Sequence, residues 1–294
     1  MIKMTEKKGT LPINKKKVMV GMSGGIDSSI TAYMLQKDGF EIEGVYLKLH
    51  NRNDGYHEKN LGHIEDVAKF LGIKYHVLDL SDKFTQEVYD YFVDSYLEGT
   101  TPNPCVKCNK QIKFGAMLKF AQDKGCDFLA TGHYAKSDGT FVYEADDKSK
   151  DQSYFLSQVD KKAIAFMKFP LSTYKKEDIL KFAKDLDNVF EKITQKNESQ
   201  EICFVETVYT DVIKKHANID MPGDVLDEKG NIVGEHKGYM HYTIGKRRGF
   251  TVRGAQHPHF VKELNPKTNT IVVGKKEVLE VNEVIANGLN MFID

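Results

Sequence analysis

The sequence predicts an α/β fold, a doubly wound parallel sheet followed by a smaller, β-rich second domain. Three observations carry this. From residue 18 to 134 short apolar runs alternate with amphipathic segments of helical spacing, a serine-glycine loop joins the first run to the first such segment, and beyond residue 207 short strand-like runs alternate with turn residues.

Taken in order, VMVGMS (residues 18–23) is a buried strand running into glycine, and DSSITAYMLQKDGF is a helix ending near Gly39. EIEGVYLKLH, HIEDVAKFLGI and KYHVLDL read as strand, helix and strand, which makes βαβαβ units and a parallel sheet. FTQEVYDYFVDSYLEG is an amphipathic helix, and IKFGAMLKFAQDKG is another that feeds the strand DFLATGHY, so the doubly wound pattern runs to about Tyr134. Residues 137–150 form a polar excursion with a short hairpin. The chain is helical again from Gln152 to about Leu186, and Ser172 or Thr173 is the N-cap expected within FPLSTYKKEDILKFAKDL. Past Cys203, short strands alternate with turns such as EKGN and NPKTN. The expected domains are 1–206 and 207–280, with a terminal stretch 281–294.

With 40% hydrophobic and 29% charged residues among 294, the composition is that of a globular protein rather than a disordered one. Lys+Arg and Asp+Glu are equal at 42, so a nucleic acid would be gripped by local basic patches and not by a cationic field over the whole molecule. Lys246, Arg247, Arg248 and Arg253, near His241 and Tyr242, form one such patch. The lysine-rich first residues lack the apolar core of a signal peptide and no window approaches a membrane span, so no membrane partner is expected and the protein reads as cytoplasmic. Four cysteines are too few for a secreted disulfide framework. Cys126 reads as a small buried core residue, whereas Cys105, Cys108 and Cys203 read as chemistry.

Ser23-Gly24-Gly25-Ile26-Asp27-Ser28-Ser29 lies between strand and helix, where backbone N–H groups and the positive helix end hold phosphate. The glycines permit close backbone approach, and Ser23, Ser28 and Ser29 offer hydroxyl donors. The lysine of a P-loop NTPase is missing, which argues against γ-phosphate transfer. Asp27 is either a Mg2+ ligand beside the pyrophosphate or the cap of the helix that starts there. In TPNPCVKCNKQIKFG a Cys-x-x-Cys pair stands at the start of a helix beside Lys107 and Lys110, where dipole and cations favour thiolates. No second pair completes a structural zinc site.

Ser-Gly-Gly-x-Asp-Ser after an N-terminal strand resembles the PP-loop superfamily, of adenine nucleotide α-hydrolase-like fold, whose members bind ATP, release pyrophosphate and adenylate an oxygen. The ordered set GMSGGIDSS, NPCVKCNKQIKFG, ATGHYAK, KDQSYFL, ESQEICFV, GEHKGYMHYTIGKRRG and PHFV, over about residues 17–280, narrows the resemblance to the tRNA-specific 2-thiouridylases. That resemblance implies ATP held by Gly21, Met22, Ser23, Gly24, Gly25, Ile26, Asp27 and Ser28, with Leu47 and Gly132 on the adenine side. It implies Cys203 as the thiol that carries a persulfide and Cys108 as its partner. Asn103, Pro104 and Cys105 would lie near the target base, and Lys150, Asp151 and Gln152 would contact tRNA. The domains become a catalytic PP-loop domain, a small tRNA-binding domain and, at 281–294, the start of a C-terminal β-barrel absent from this chain.

The implied chemistry explains these parts. The C2 oxygen of uracil is a poor leaving group, so ATP first converts it to an adenylate. A persulfide on Cys203, loaded by a sulfur donor such as a cysteine desulfurase relay, then attacks C2, and Cys108 frees the sulfur to leave a Cys108–Cys203 disulfide; sulfide, the alternative donor, would instead be carried on an open cluster iron. The run KITQKNESQ before Cys203 reads as an arm that closes over the base. The chain departs from its resemblance at Cys105, where many members carry aspartate. Cys105, Cys108 and Cys203 would be three thiols for a [4Fe–4S] cluster, as in the iron–sulfur thiolases of the wider superfamily, and cluster and persulfide stay open as alternatives. Two further readings of the chain are another PP-loop adenylating ligase and a non-catalytic tRNA-binding paralogue.

Overall fold

The computed structural model describes residues 15–51, 55–195 and 202–292. They divide into two compact units: the first takes the described residues up to Glu87, those of Cys105–Gln200 and those from Asn290 on, and the second takes Val88–Pro104 and the described residues of Glu201–Leu289. The expected boundaries lie after residues 206 and 280, whereas packing also gives Val88–Pro104 to the second unit and the described residues from Asn290 on to the first. Most of the arm expected at KITQKNESQ lies outside the described residues.

The first unit opens with strand β1 (Lys17–Gly21), helix α1 (Ile26–Lys37), strand β2 (Glu41–Lys48), helix α2 (Tyr56–Leu71) and strand β3 (Lys74–Asp79). After strand β4 (Phe128–Ala130) a short strand, Met167–Lys168, completes a five-stranded sheet in the order β3-β2-β1-β4-Met167–Lys168. Every pairing in it is parallel. Both faces are covered, as an all-parallel sheet requires, and the alternation of strand side chains sorts them. Val18, Val20, Ile42 and Tyr46 pack with α1 and α2 and with Ile179 and Phe190, while Met19, Val45 and Leu129 pack with Phe114, Met117 and Leu156 on the other face.

Several expected elements shift for identifiable reasons. Helix α2 begins at Tyr56, ahead of the expected HIEDVAKFLGI, because His57 and Asn60 are polar yet buried and so break the apolar period. His57 is satisfied by the Tyr46 hydroxyl, 2.7 Å from its Nδ1. The cysteine helix starts at Pro104, not Ile112, since proline suits a first helical position. It runs as Pro104–Cys108, Asn109–Met117 and Leu118–Asp123, with i→i+5 hydrogen bonding in the middle segment. The stretch from Gln152 to Leu186 is not one helix. It contains the turns Ser153–Leu156 and Pro170–Thr173, a short helix Lys161–Ile164, the edge strand, and then the helix Lys176–Leu186. The N-cap of that last helix is Lys175 without a side-chain bond, so neither Ser172 nor Thr173 caps it; both belong to the preceding turn that Pro170 starts. The hairpin expected in the polar excursion pairs Ala135–Ser137 with Val142–Glu144.

In the second unit a four-stranded sheet has the order Phe260–Asn265, Thr270–Gly274, Gly223–Leu226, Ile232–His236. Phe92 and Tyr96 of the helix Asp90–Leu97 join its core with Val225, Tyr242, Val261 and Ile271. Among the described residues no helix is long and apolar enough to cross a membrane.

Candidate active site

The chain leaves β1 toward β2 on one side and later returns on the other side as β4, so the C-terminal end of β1 is a topological switch point, where open α/β sheets bind ligands. The serine-glycine loop emerges there. The N-cap of α1 is Gly25, in extended conformation and with no side-chain cap, so the first-turn N–H groups are left to an incoming anion. Gly24 has φ of 73° and its missing Cβ would stand 2.8 Å from the Asn60 carbonyl oxygen, which requires glycine on both counts. The Gly24 carbonyl accepts from His63 Nδ1 at 3.2 Å.

Ser28 and Ser29 do not reach outward as expected, whereas Ser23 is exposed. The hydroxyls of Ser28 and Ser29 donate to the Gly25 carbonyl at 2.9 and 3.0 Å, and Ser28 Oγ accepts from the Ser23 N–H at 3.2 Å. These two hydroxyls shape the loop, and the donors left facing outward are the backbone and Ser23.

Asp27 does not cap the helix, because Gly25 holds that position. Both its carboxylate oxygens accept from Lys176 Nζ at 2.7 Å, and Oδ1 also accepts from the Tyr134 hydroxyl at 3.0 Å. Lys176 is placed by its own N–H, which donates to Asp147 Oδ2 at 3.0 Å. A Mg2+ ion on Asp27 would have to displace this lysine. Gly132 packs its bare Cα against the first turn of α1, where a Cβ would come within 2.9 Å of the Asp27 backbone and Ser28 N. Leu47 lies at the C-terminal end of β2, in register with Leu78 of β3.

Cys105 is exposed and Cys108 buried, both in the first turns of their helix. The thiolate character expected from Lys107 and Lys110 is not what the surroundings favour. Burial pushes both thiols up, and the cation that opposes it at both is Lys113. Lys113 Nζ lies 3.3 Å from His133 Nε2. Lysine only donates, so Nε2 accepts, and the ring proton sits on Nδ1, 2.7 Å from Thr131 Oγ1. Burial, aided by Lys113, holds His133 well below the usual histidine range and therefore neutral. Asn109, next to Cys108, donates through Nδ2 to the Phe155 carbonyl at 2.9 Å. Cys126 is a buried core thiol, pushed up to about 11 by burial.

Of the residues expected against tRNA, Lys150 is exposed, but Asp151 and Gln152 work within the fold. Asp151 Oδ1 accepts from the Ala145 N–H at 2.7 Å, and Gln152 Oε1 from the Tyr134 N–H at 3.0 Å. In the second unit, Pro104 is buried, the Asn103 N–H donates to the Tyr91 hydroxyl at 3.4 Å, and Cys203 is exposed. Arg247, Arg248 and Arg253 are exposed. Lys246 is exposed too and donates to the His241 carbonyl at 2.7 Å, and Tyr242 is core. Among the described residues no group of three histidine, cysteine, aspartate or glutamate side chains could hold a metal ion, and the cluster held open as an alternative to the persulfide has no support there.

Sequence reasoning missed Lys113, His133, Tyr134 and Lys176. All four stand inside or beside motifs that were read, in NKQIKFG, ATGHY and KKED, but nothing in those motifs marks their partners.

A family model described as the tRNA methyl transferase HUP domain matches residues 16–207, and one described as the tRNA methyl transferase PRC-barrel domain matches 210–275. The chain is 78% identical to tRNA-specific 2-thiouridylase MnmA 1 of Aliarcobacter butzleri, over 96% of this chain and 82% of that relative. It is 53% identical to tRNA-specific 2-thiouridylase MnmA of Sulfurimonas denitrificans, over 95% of this chain and 81% of the relative. With the corresponding protein of Campylobacter jejuni it shares 52% identity over 95% and 82% of the two chains. The chain belongs to the tRNA-specific 2-thiouridylase family.

Proposed function

We propose that the protein is a tRNA-uridine 2-sulfurtransferase, which adenylates the C2 oxygen of a wobble uridine with ATP and replaces it by sulfur, releasing AMP and pyrophosphate. The observation that carries this reading is the uncapped N-terminus of α1 behind a glycine loop at the sheet's switch point, in a chain that also sets Cys-x-x-Cys at the head of a helix. The names of its relatives support the sulfur chemistry.

In this reading the backbone of residues 21–28 holds the triphosphate, with Leu47 and Gly132 flanking the nucleotide. Mg2+ bound to the triphosphate would neutralise its charge, and Asp27 is the carboxylate that would face it in exchange for Lys176. Asn103, Pro104 and Cys105 border the base, and Lys150 is the exposed contact to tRNA, on a loop that Asp151 and Gln152 hold in place. A sulfur donor loads Cys203 as a persulfide. Its terminal sulfur forms a bond to C2 and AMP departs with the oxygen; the Cys108 thiolate then attacks the Cys203 sulfur, forming a disulfide and leaving the sulfur on the base. An external thiol reduces the disulfide with two electrons.

The test supplies a cysteine desulfurase and cysteine with ATP and undermodified tRNA, and follows both AMP and 2-thiouridine by chromatography. The wild type should make both, and Cys108→Ser and Cys203→Ser should bind ATP normally yet make no 2-thiouridine with a desulfurase as donor. Normal thiolation by either variant, or tRNA binding without AMP release by the wild type, would overturn the reading.

A further inference from the structure

We propose that His63, on helix α2, is a positioning residue for the nucleotide: it clamps the peptide between Gly24 and Gly25 so that its N–H, and not its carbonyl, faces the triphosphate. This rests on the reading that residues 21–28 hold that group.

Most of the loop is fixed by the neighbouring strand and by its own serines. The Met22 N–H donates to the Val45 carbonyl at 2.8 Å, the Ser23 N–H donates to Ser28 Oγ at 3.2 Å, and the Gly25 carbonyl accepts from the hydroxyls of Ser28 and Ser29. The peptide between Gly24 and Gly25 differs. With a glycine on each side it turns over at little steric cost, and its carbonyl is held from another element, by His63 Nδ1 at 3.2 Å.

Helix α2 backs directly onto Gly24, which is what brings His63 within reach. A Cβ on Gly24 would stand 2.8 Å from the Asn60 carbonyl oxygen and 2.9 Å from Asn60 Cα. His63 lies one turn beyond Asn60 on the same face of α2. A carbonyl only accepts, so the ring proton of His63 sits on Nδ1.

In a planar trans peptide the C=O and N–H point opposite ways. With its carbonyl turned to α2, this peptide turns the Gly25 N–H away from that helix, where it donates to Ser23 Oγ at 3.4 Å. Ser23 is exposed, so the N–H belongs to the outer side of the loop, and so long a bond is readily exchanged for one to an anion. A turned peptide would instead aim a carbonyl oxygen at the phosphate oxygens and repel them. His63 acts through the loop, by keeping a donor where an acceptor would otherwise stand.

The test uses the full chain. Nitrogen-15 NMR of the labelled histidine rings at pH 8.5, with His63 assigned by its loss in His63→Leu, should show its proton on Nδ1, a reading that needs no nucleotide. Isothermal titration with Mg2+ and ATP then compares variants. His63→Leu should weaken ATP binding about tenfold, and His63→Asn, whose amide nitrogen falls where Nδ1 stands, should stay within about threefold of the wild type. His63→Gln, whose amide nitrogen falls at the Nε2 position, should behave as His63→Leu does. A side chain that merely filled space would not separate the two amides in that order. A ring proton on Nε2, or equal ATP affinity in the wild type and His63→Leu, would overturn the proposal. A wild type that binds no ATP would overturn the functional reading, and the role of the clamp toward a triphosphate with it, while leaving the ring-proton result standing.

Discussion

Replacing Asp27 by asparagine should destabilise the first unit more than replacing Lys176 by methionine, although both break one ion pair. The Lys176 side chain is 7% exposed and that of Asp27 is 32% exposed. Breaking a buried pair costs about 3–5 kcal/mol because the surviving charge is left uncompensated. Asp27→Asn leaves the more deeply buried charge, so its cost lies near the bottom of that range, about 3 kcal/mol. Lys176→Met leaves a carboxylate that water reaches and that Tyr134 still bonds at 3.0 Å, and it keeps an apolar stem in place of the lysine's. Its cost is about 1 kcal/mol, the scale of a partly exposed pair. The double variant removes both charges and should cost no more than the milder single change. With a urea slope of about 2 kcal/mol/M, the two single variants shift the midpoint by about 1.5 M and about 0.5 M. Circular dichroism on urea titration, reading the transition of the first unit, makes the measurement. Equal shifts, or a double variant as unstable as Asp27→Asn, would refute the argument that exposure decides which partner is costly to orphan.

Gly132→Ala places a methyl 2.9 Å from the backbone of Asp27 and Ser28, so the first turn of α1 has to move. Isothermal titration should show ATP binding weakened about tenfold or more, and an unchanged affinity would mean that this turn does not hold the nucleotide. Burial depresses His133, His236 and His241 below the ordinary histidine value. The unfolded chain then binds more protons once the pH falls below about 6.5, so stability is retained above that value and declines beneath it. Thermal melts should give a lower Tm at pH 5.5 than at pH 7.5, and identical melts would refute the linkage.

The alternation of apolar runs and helical segments made β1, α1, β2, β3 and the loop between β1 and α1 legible, because a parallel sheet covered on both faces leaves a strong period in the chain. The edge strand Met167–Lys168 left no such trace: two residues have no period. The i→i+5 stretch after Cys108 was invisible too, since its composition is that of any amphipathic helix. At the cysteines the sequence counted neighbouring cations correctly in kind but not in place. Lys107 and Lys110 are near in number, whereas Lys113 acts on both sulfurs and burial outweighs it.

The phosphate loop shows why a motif can be legible while its competence is not. Its glycines and its place between strand and helix follow from spacing alone, yet the loop also carries Asp27 in the first turn of α1. Two like charges 4 Å apart repel by about 4 kcal/mol at an effective dielectric near 20, enough to offset much of what the helix end offers an anion. Lys176 cancels that carboxylate from 149 positions away, with both oxygens engaged. Asp147 and Tyr134 hold the pair in turn, and Tyr134 is tied through Gln152 to the loop that bears Lys150. An anion site of this kind is therefore made by the fold as much as by the motif, since the backbone supplies the donors and a lysine without sequence signature removes the charge that would repel the ligand.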